Sequence, residues 1–86
     1  MISRKLIMKN EEGLHARPAT DFTTLAGKFQ CVVTIHKDDM DFNGKSILKV
    51  LSACVCQGDN FTLVTDGEDE EEAMDKLSEY IENLKD

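Results

Sequence analysis

Stretches of alternating apolar residues and stretches with apolar residues three or four apart take turns along this chain, and that alternation constrains its fold more than any other feature. Residues 2–9 (ISRKLIMK) place Ile2, Leu6 and Met8 on one side and Ser3, Lys5 and Lys9 on the other, which predicts a half-buried strand until Glu11, Glu12 and Gly13 break it. From Ala16, the residues Ala19, Phe22, Leu25 and Ala26 follow a helical spacing; Pro18 fits only its first turn and Gly27 marks a stop. Cys31 to His36 is β-branched and predicts a second strand, Asp38 and Asp39 supply a turn, and Met40 to Phe42 completes a hairpin. Asn43-Gly44 leads into a second helix with Ser46 as its N-cap and Ile47, Leu48, Val50, Leu51 and Ala53 at helical spacing. Gln57 to Asn60 is a loop, and Phe61 to Thr65 alternates as a fourth strand closed by Asp66 and Gly67. The final stripe, Ala73, Met74, Leu77, Tyr80, Ile81 and Leu84, predicts a third helix, with Asp69 and Glu72 spaced as a capping box.

The order βαββαβα predicts an α+β fold, an open-faced sandwich in which a four-stranded antiparallel sheet carries three helices on one face. With 86 residues the chain is expected to form a single domain, residues 1–86, with room for one core and one exposed site. Its apolar runs are too short and too interrupted by charge for a signal peptide or a spanning helix, so a cytoplasmic protein is expected. Three cysteines, Cys31, Cys54 and Cys56, suit a reducing compartment, and Cys54-Val55-Cys56 lacks the spacing of a zinc or redox motif. They are expected to be small buried or half-buried side chains.

The net charge of −7 argues against nucleic acid as a partner. Its distribution says more. Residues 66–86 hold ten acids against Lys76 and Lys85, whereas residues 1–65 are nearly balanced. The first three quarters of the chain are therefore left free to attract an anion.

The stretch GLHARPAT, residues 13 to 20, stands in that region. A helix N-terminus leaves backbone N–H groups unpaired beside a partial positive charge, which makes it an anion site. A histidine held there can act as a nucleophile toward a phosphoryl group while the amides hold the phosphate oxygens, and an arginine adds a forked, charge-assisted donor. His15 and Arg17 are the candidates for those two roles, with Gly13, Ala16 and Pro18 shaping the mouth. Taken alone, His15 is an ordinary histidine at a helix start; its neighbours make it a candidate site. His36 stands at a strand end with no charged cluster to suggest a role.

GLHARPAT resembles the active-site signature of HPr, the histidine-containing phosphocarrier family of the bacterial phosphoenolpyruvate:sugar phosphotransferase system. GKSILKVLSACV resembles that family's second-helix segment, and GDNFTLVTDGEDEEEAMDKL its last strand and helix, so the likeness spans essentially the whole chain. The resemblance implies a stoichiometric phosphoryl carrier rather than an enzyme, with no cofactor and no metal. His15 would take its phosphoryl group from enzyme I on ring atom Nδ1 and pass it to sugar-specific EIIA proteins, with Arg17 steadying the phosphate. It implies regulatory phosphorylation of Ser46 by HPr kinase/phosphorylase, the product assisting a catabolite-control repressor. Serine is also a preferred N-cap, so Ser46 has a structural reason to be there. Thr20, Lys45, Ile47, Leu48, Lys49 and Leu51 are the expected docking residues of a monomer that inserts into no membrane.

Four residues depart from the family pattern. Glu12 replaces a small polar residue and would repel a phosphoryl group it faced; Asp21 is in place to pair with Arg17 or Lys28; Ala53-Cys54 replaces Leu-Gly and removes an easy helix stop. Competing readings are a regulatory paralogue acting through Ser46, a small acylphosphatase-like enzyme, and a thiol or metal protein using Cys54, Cys56 and a histidine.

Overall fold

The computed structural model describes residues 1–84 and carries the predicted order: β1 (Ile2–Ile7), α1 (Ala16–Ala26), β2 (Val32–Lys37), β3 (Met40–Asn43), α2 (Ile47–Ala53), β4 (Asn60–Asp66) and α3 (Glu70–Glu82). The four strands form one antiparallel sheet in the order β1-β4-β2-β3. Register fixes its two faces. One row runs Arg4–Leu63–Ile35–Phe42 and lies under the helices; the next runs Lys5–Thr62–His36–Asp41 and lies on the open side. Leu6, Val33, Ile35, Phe61 and Leu63 are accordingly buried with Phe22, Val50, Met74, Leu77 and Ile81 from the helices. Arg4, the one charge on the covered side of β1, reaches Asp75 of α3 at 4.0 Å.

The hairpin between β2 and β3 turns on Asp38 and Asp39, both with positive φ (53° and 63°), as a two-residue turn that follows the sheet twist requires. β1 ends at Ile7, sooner than the alternation through Lys9 predicts. Met8 is nonetheless fully buried, its amide donating to Asp59 O and its carbonyl accepting from Gly58 N at 2.7 Å.

Two expectations need correction. Asp69 stands at the N-cap of α3 but makes no capping bond. Its carboxylate accepts instead from the amides of Gln30 and Cys31 at 2.8 and 2.9 Å, fastening the α1–β2 loop to the start of α3. Those amides hold the Asp69 carboxyl below the usual carboxylate range. Cys31 is buried as expected, whereas Cys54 and Cys56 are exposed. α2 ends after Ala53 without a glycine, because Cys54 itself adopts the left-handed conformation (φ 51°, ψ 48°). His36 faces Asp41 across the hairpin, Nδ1 to Oδ1 at 2.5 Å.

Gly13 has a φ of 65°, and a Cβ built on it falls 2.1 Å from the Val55 carbonyl oxygen. Gly13→Ala should lower stability by more than about 1 kcal/mol, while Cys54→Gly should raise it by up to about 1 kcal/mol by relieving left-handed strain; urea unfolding followed by circular dichroism checks both signs. The Asp69 contribution is present above the carboxyl's unfolded pKa and fades as pH falls through the lower folded value. Asp69→Asn should therefore lower the Tm near neutrality and narrow the gap to wild type on acidification, read by thermal melts across the acid range.

Candidate functional site

The residues before α1 are stitched to the loop after α2. Asn10 is buried, with its Nδ2 donating to Gly13 O at 3.1 Å and its carbonyl accepting from Gly13 N at 3.3 Å. Leu14, fully buried, donates its amide to Val55 O at 2.9 Å. Gln57 Nε2 donates to Lys9 O from the other side at 3.2 Å. With Leu14 turned inward, the extended His15 (φ −123°, ψ 160°) stands at the N-cap of α1. Its side chain makes no capping bond, so the ring is not spent on closing its own helix.

Ala16 follows with a φ of 51°, a conformation that costs a non-glycine residue roughly 1–2 kcal/mol. Strain of this kind persists where the surrounding contacts over-determine the backbone. Here the Leu14–Val55 bond fixes one side and the body of α1 the other. The first turn of α1 holds no acidic side chain, so the positive dipole end beside His15 is not neutralised from within that turn. Pro18 lies in that first turn, as expected, and its carbonyl accepts from the Tyr80 hydroxyl of α3 at 3.4 Å.

Arg17 is 91% exposed, and its Nε lies 3.9 Å from Asp21 Oδ2 one turn along. Of the two partners open to Asp21, the structure pairs it with Arg17. Burial and the nearby Asp21 carboxylate both push the Tyr80 hydroxyl above its ordinary pKa. Glu12 is exposed and borders, with Arg17, Asp21 and Tyr80, a groove between α1 and α3. Tyr80 and Asn10 are thus the supports that sequence reading missed. Tyr80 looked like one more member of an apolar stripe, and Asn10 carried no signal at all.

α2 packs beside α1. Ser46 caps it, the hydroxyl accepting from Lys49 N at 3.4 Å. Leu48 is 73% exposed and Ile47 about half that, at 36%, whereas Leu51 is half-buried and Val50 faces the core. Lys45 is not a loose cation at the rim of this patch, because its ammonium donates to Phe29 O at 2.6 Å. Thr20 is exposed on α1, its hydroxyl bonded to Ala16 O. Among the described residues no group of three or more histidine, cysteine or acidic side chains is placed to hold a metal, and no helix is long and apolar enough to cross a membrane.

Comparison with known proteins places this geometry. Residues 2–83 match the family model described as the phosphorylation site of the HPr component of the phosphotransferase system. The HPr-like protein Crh of Bacillus subtilis (strain 168) is 39% identical over 82 residues, covering 95% of this chain and 96% of Crh. The phosphocarrier protein HPr of Borreliella burgdorferi is 34% identical over 85 residues, covering 99% of both chains. The crystal structure of HPr-C-His from Thermoanaerobacter tengcongensis superposes with a TM-score of 0.93 at 41% identity, over 95% of this chain and 92% of that one. A whole-chain family match, relatives of nearly equal length and a shared fold at that identity lead to one assignment: the chain belongs to the HPr family of phosphocarrier proteins.

Proposed function

We propose that His15 accepts a phosphoryl group from phospho-enzyme I and hands it to sugar-specific EIIA proteins, the chain acting as a monomeric cytoplasmic carrier. The observation that carries this reading is the uncapping histidine itself. His15 stands at the N-cap of α1, on an extended backbone pinned by the Leu14–Val55 bond, with its ring left uncommitted to the helix. In each transfer a ring nitrogen lone pair forms the bond to phosphorus as the bond from phosphorus to the donor breaks, and the first-turn amides of α1 receive the phosphoryl oxygens. Ala16 and Pro18 shape that mouth, and Gly13 permits the approach to it.

Arg17 steadies the phosphate in this reading, after exchanging its 3.9 Å contact with Asp21 for the phosphoryl oxygens. The Asp21 carboxylate competes with the phosphate for the guanidinium, so this chain holds its phosphoryl group less firmly than a chain with a neutral residue there. Partners dock on the exposed Ile47 and Leu48 beside α1, with Thr20, Lys49 and the edge of Leu51 completing the surface and Lys45 serving mainly to hold the start of α2.

Ser46 is the proposed regulatory position, modified by HPr kinase/phosphorylase so that the product assists a catabolite-control repressor. A phosphate on this N-cap is favoured by the dipole of the helix it caps. A second reading, a chiefly regulatory paralogue, is favoured by the likeness to Crh. The presence of His15, Arg17 and the strained Ala16 between them favours the carrier.

Incubation of the full chain with phosphoenolpyruvate, magnesium and enzyme I from a Gram-positive bacterium, followed by intact-mass analysis, should add one acid-labile phosphoryl group to the wild type and none to His15→Ala. An unmodified wild type, with a known HPr labelled in parallel, would overturn the carrier reading. In the same assay Asp21→Asn should lengthen the lifetime of the phosphorylated form, and an unchanged lifetime would remove Asp21 from the account.

A further inference from the structure

Cys54 and Cys56 take no part in the carrier chemistry, yet they border the segment that positions it. After α2 ends, burial alternates: Ala53 and Val55 face inward, while Cys54 and Cys56 face outward. Val55 is fully buried, while the thiols before and after it are both exposed. The Cys56 thiol turns back along the chain to within 3.4 Å of the Cys54 carbonyl oxygen, and the Cys54 thiol lies 3.6 Å from Leu51 O. Two residues span at most about 7 Å between Cα atoms, and a disulfide accepts Cα separations of about 4.4–6.8 Å. Bridging the pair therefore asks for a local contraction and no refolding.

That contraction falls on a segment with little slack. Cys56 N donates to Asp59 Oδ2 at 2.8 Å, and Lys37 Nζ, itself 3.4 Å from Asp59, donates to Cys54 O at 2.9 Å. Between these two anchors lies the Val55 carbonyl that receives Leu14 N, with Gly13 pressed so close that a Cβ there would sit 2.9 Å from Cys56 Cα. Whatever moves residues 54–56 moves the ledge under His15. Cys31 is remote from such chemistry, being only 2% exposed.

We propose that Cys54 and Cys56 form a thiol–disulfide exchange site that reacts with a low-molecular-weight disulfide of the glutathione type, and that bridging them shifts the Gly13–Leu14 segment. One cysteine thiolate attacks a sulfur of the small disulfide, forming a mixed disulfide and releasing the other half as a thiolate. The second cysteine thiolate then attacks the protein sulfur of that mixed disulfide, forming the 54–56 bridge and expelling the remaining half. Two protein thiols are oxidised, one small disulfide is reduced to two thiols, and the two protons pass from the protein to the released thiolates.

The test uses the full chain and oxidised glutathione, followed by alkylation of remaining thiols under denaturing conditions and peptide mass mapping. Cys31 alone should be alkylated in the oxidised wild type, with Cys54 and Cys56 recovered as one bridged peptide. Cys54→Ser should instead retain a glutathionyl group on Cys56, because the second attack is missing. In the 15N-labelled chain the Leu14 amide signal should shift on oxidation and return with a reducing agent. Full alkylation of all three cysteines, or a bridge between two chains, would overturn the exchange site. A 54–56 bridge that leaves Leu14 unmoved would overturn its coupling to the His15 loop. Both readouts are independent of whether His15 carries phosphate.

Discussion

Everything at the mouth of α1 depends on one contact, the approach of Gly13 and Leu14 to the Val55 carbonyl. The oxygen accepts from Leu14 N at 2.9 Å and lies where a Gly13 side chain would begin. Without that approach Leu14 could not enter the core, and the chain would have no reason to leave His15 extended and Ala16 in a left-handed conformation. The core thus stores strain of roughly 1–2 kcal/mol at Ala16, an amount one well-buried leucine offsets. A phosphoryl carrier benefits from such an arrangement, since a mouth already formed needs no ordering when the group arrives.

The electrostatics of the site follow from where the acids are. Most of the negative charge lies in the last quarter of the sequence, and the first turn of α1 has none. Asp21 is the exception close to the site, and it meets Arg17, the cation proposed to steady the phosphate. Glu12 is exposed at the neighbouring groove. In the proposed carrier these two side chains act on how tightly the phosphoryl group would be held, and they leave His15 itself in place. A carrier must release its cargo as readily as it takes it, so a weakened grip is compatible with the role.

What could be read in the sequence was whatever repeats locally. The alternation in FTLVT, the stripe from Ala73 to Leu84 and the serine before Ile47 each predicted an element the structure contains, and GLHARPAT placed His15 at a helix start. Missing were side chains whose partners lie far along the chain. Asp69 looked like half of a capping box, yet it bonds amides nearly forty residues away; Tyr80 looked like core and reaches Pro18 across 62 residues. Cys54 is instructive in a different way. Losing a glycine removed the ordinary signal for a helix stop, but the tertiary demand for a stop was strong enough to impose the left-handed turn on a cysteine.

The central claim is that a preformed mouth presents His15 as the phosphoryl acceptor. The most direct measurement follows the backbone amides and both imidazole rings of the 15N-labelled chain by NMR during phosphorylation by enzyme I and phosphoenolpyruvate. The account predicts that the His15 ring moves and the His36 ring does not, with amide shifts confined to residues 12–18 and the adjoining 54–56. Movement of the His36 ring in place of His15, or shifts spread through the sheet, would contradict it.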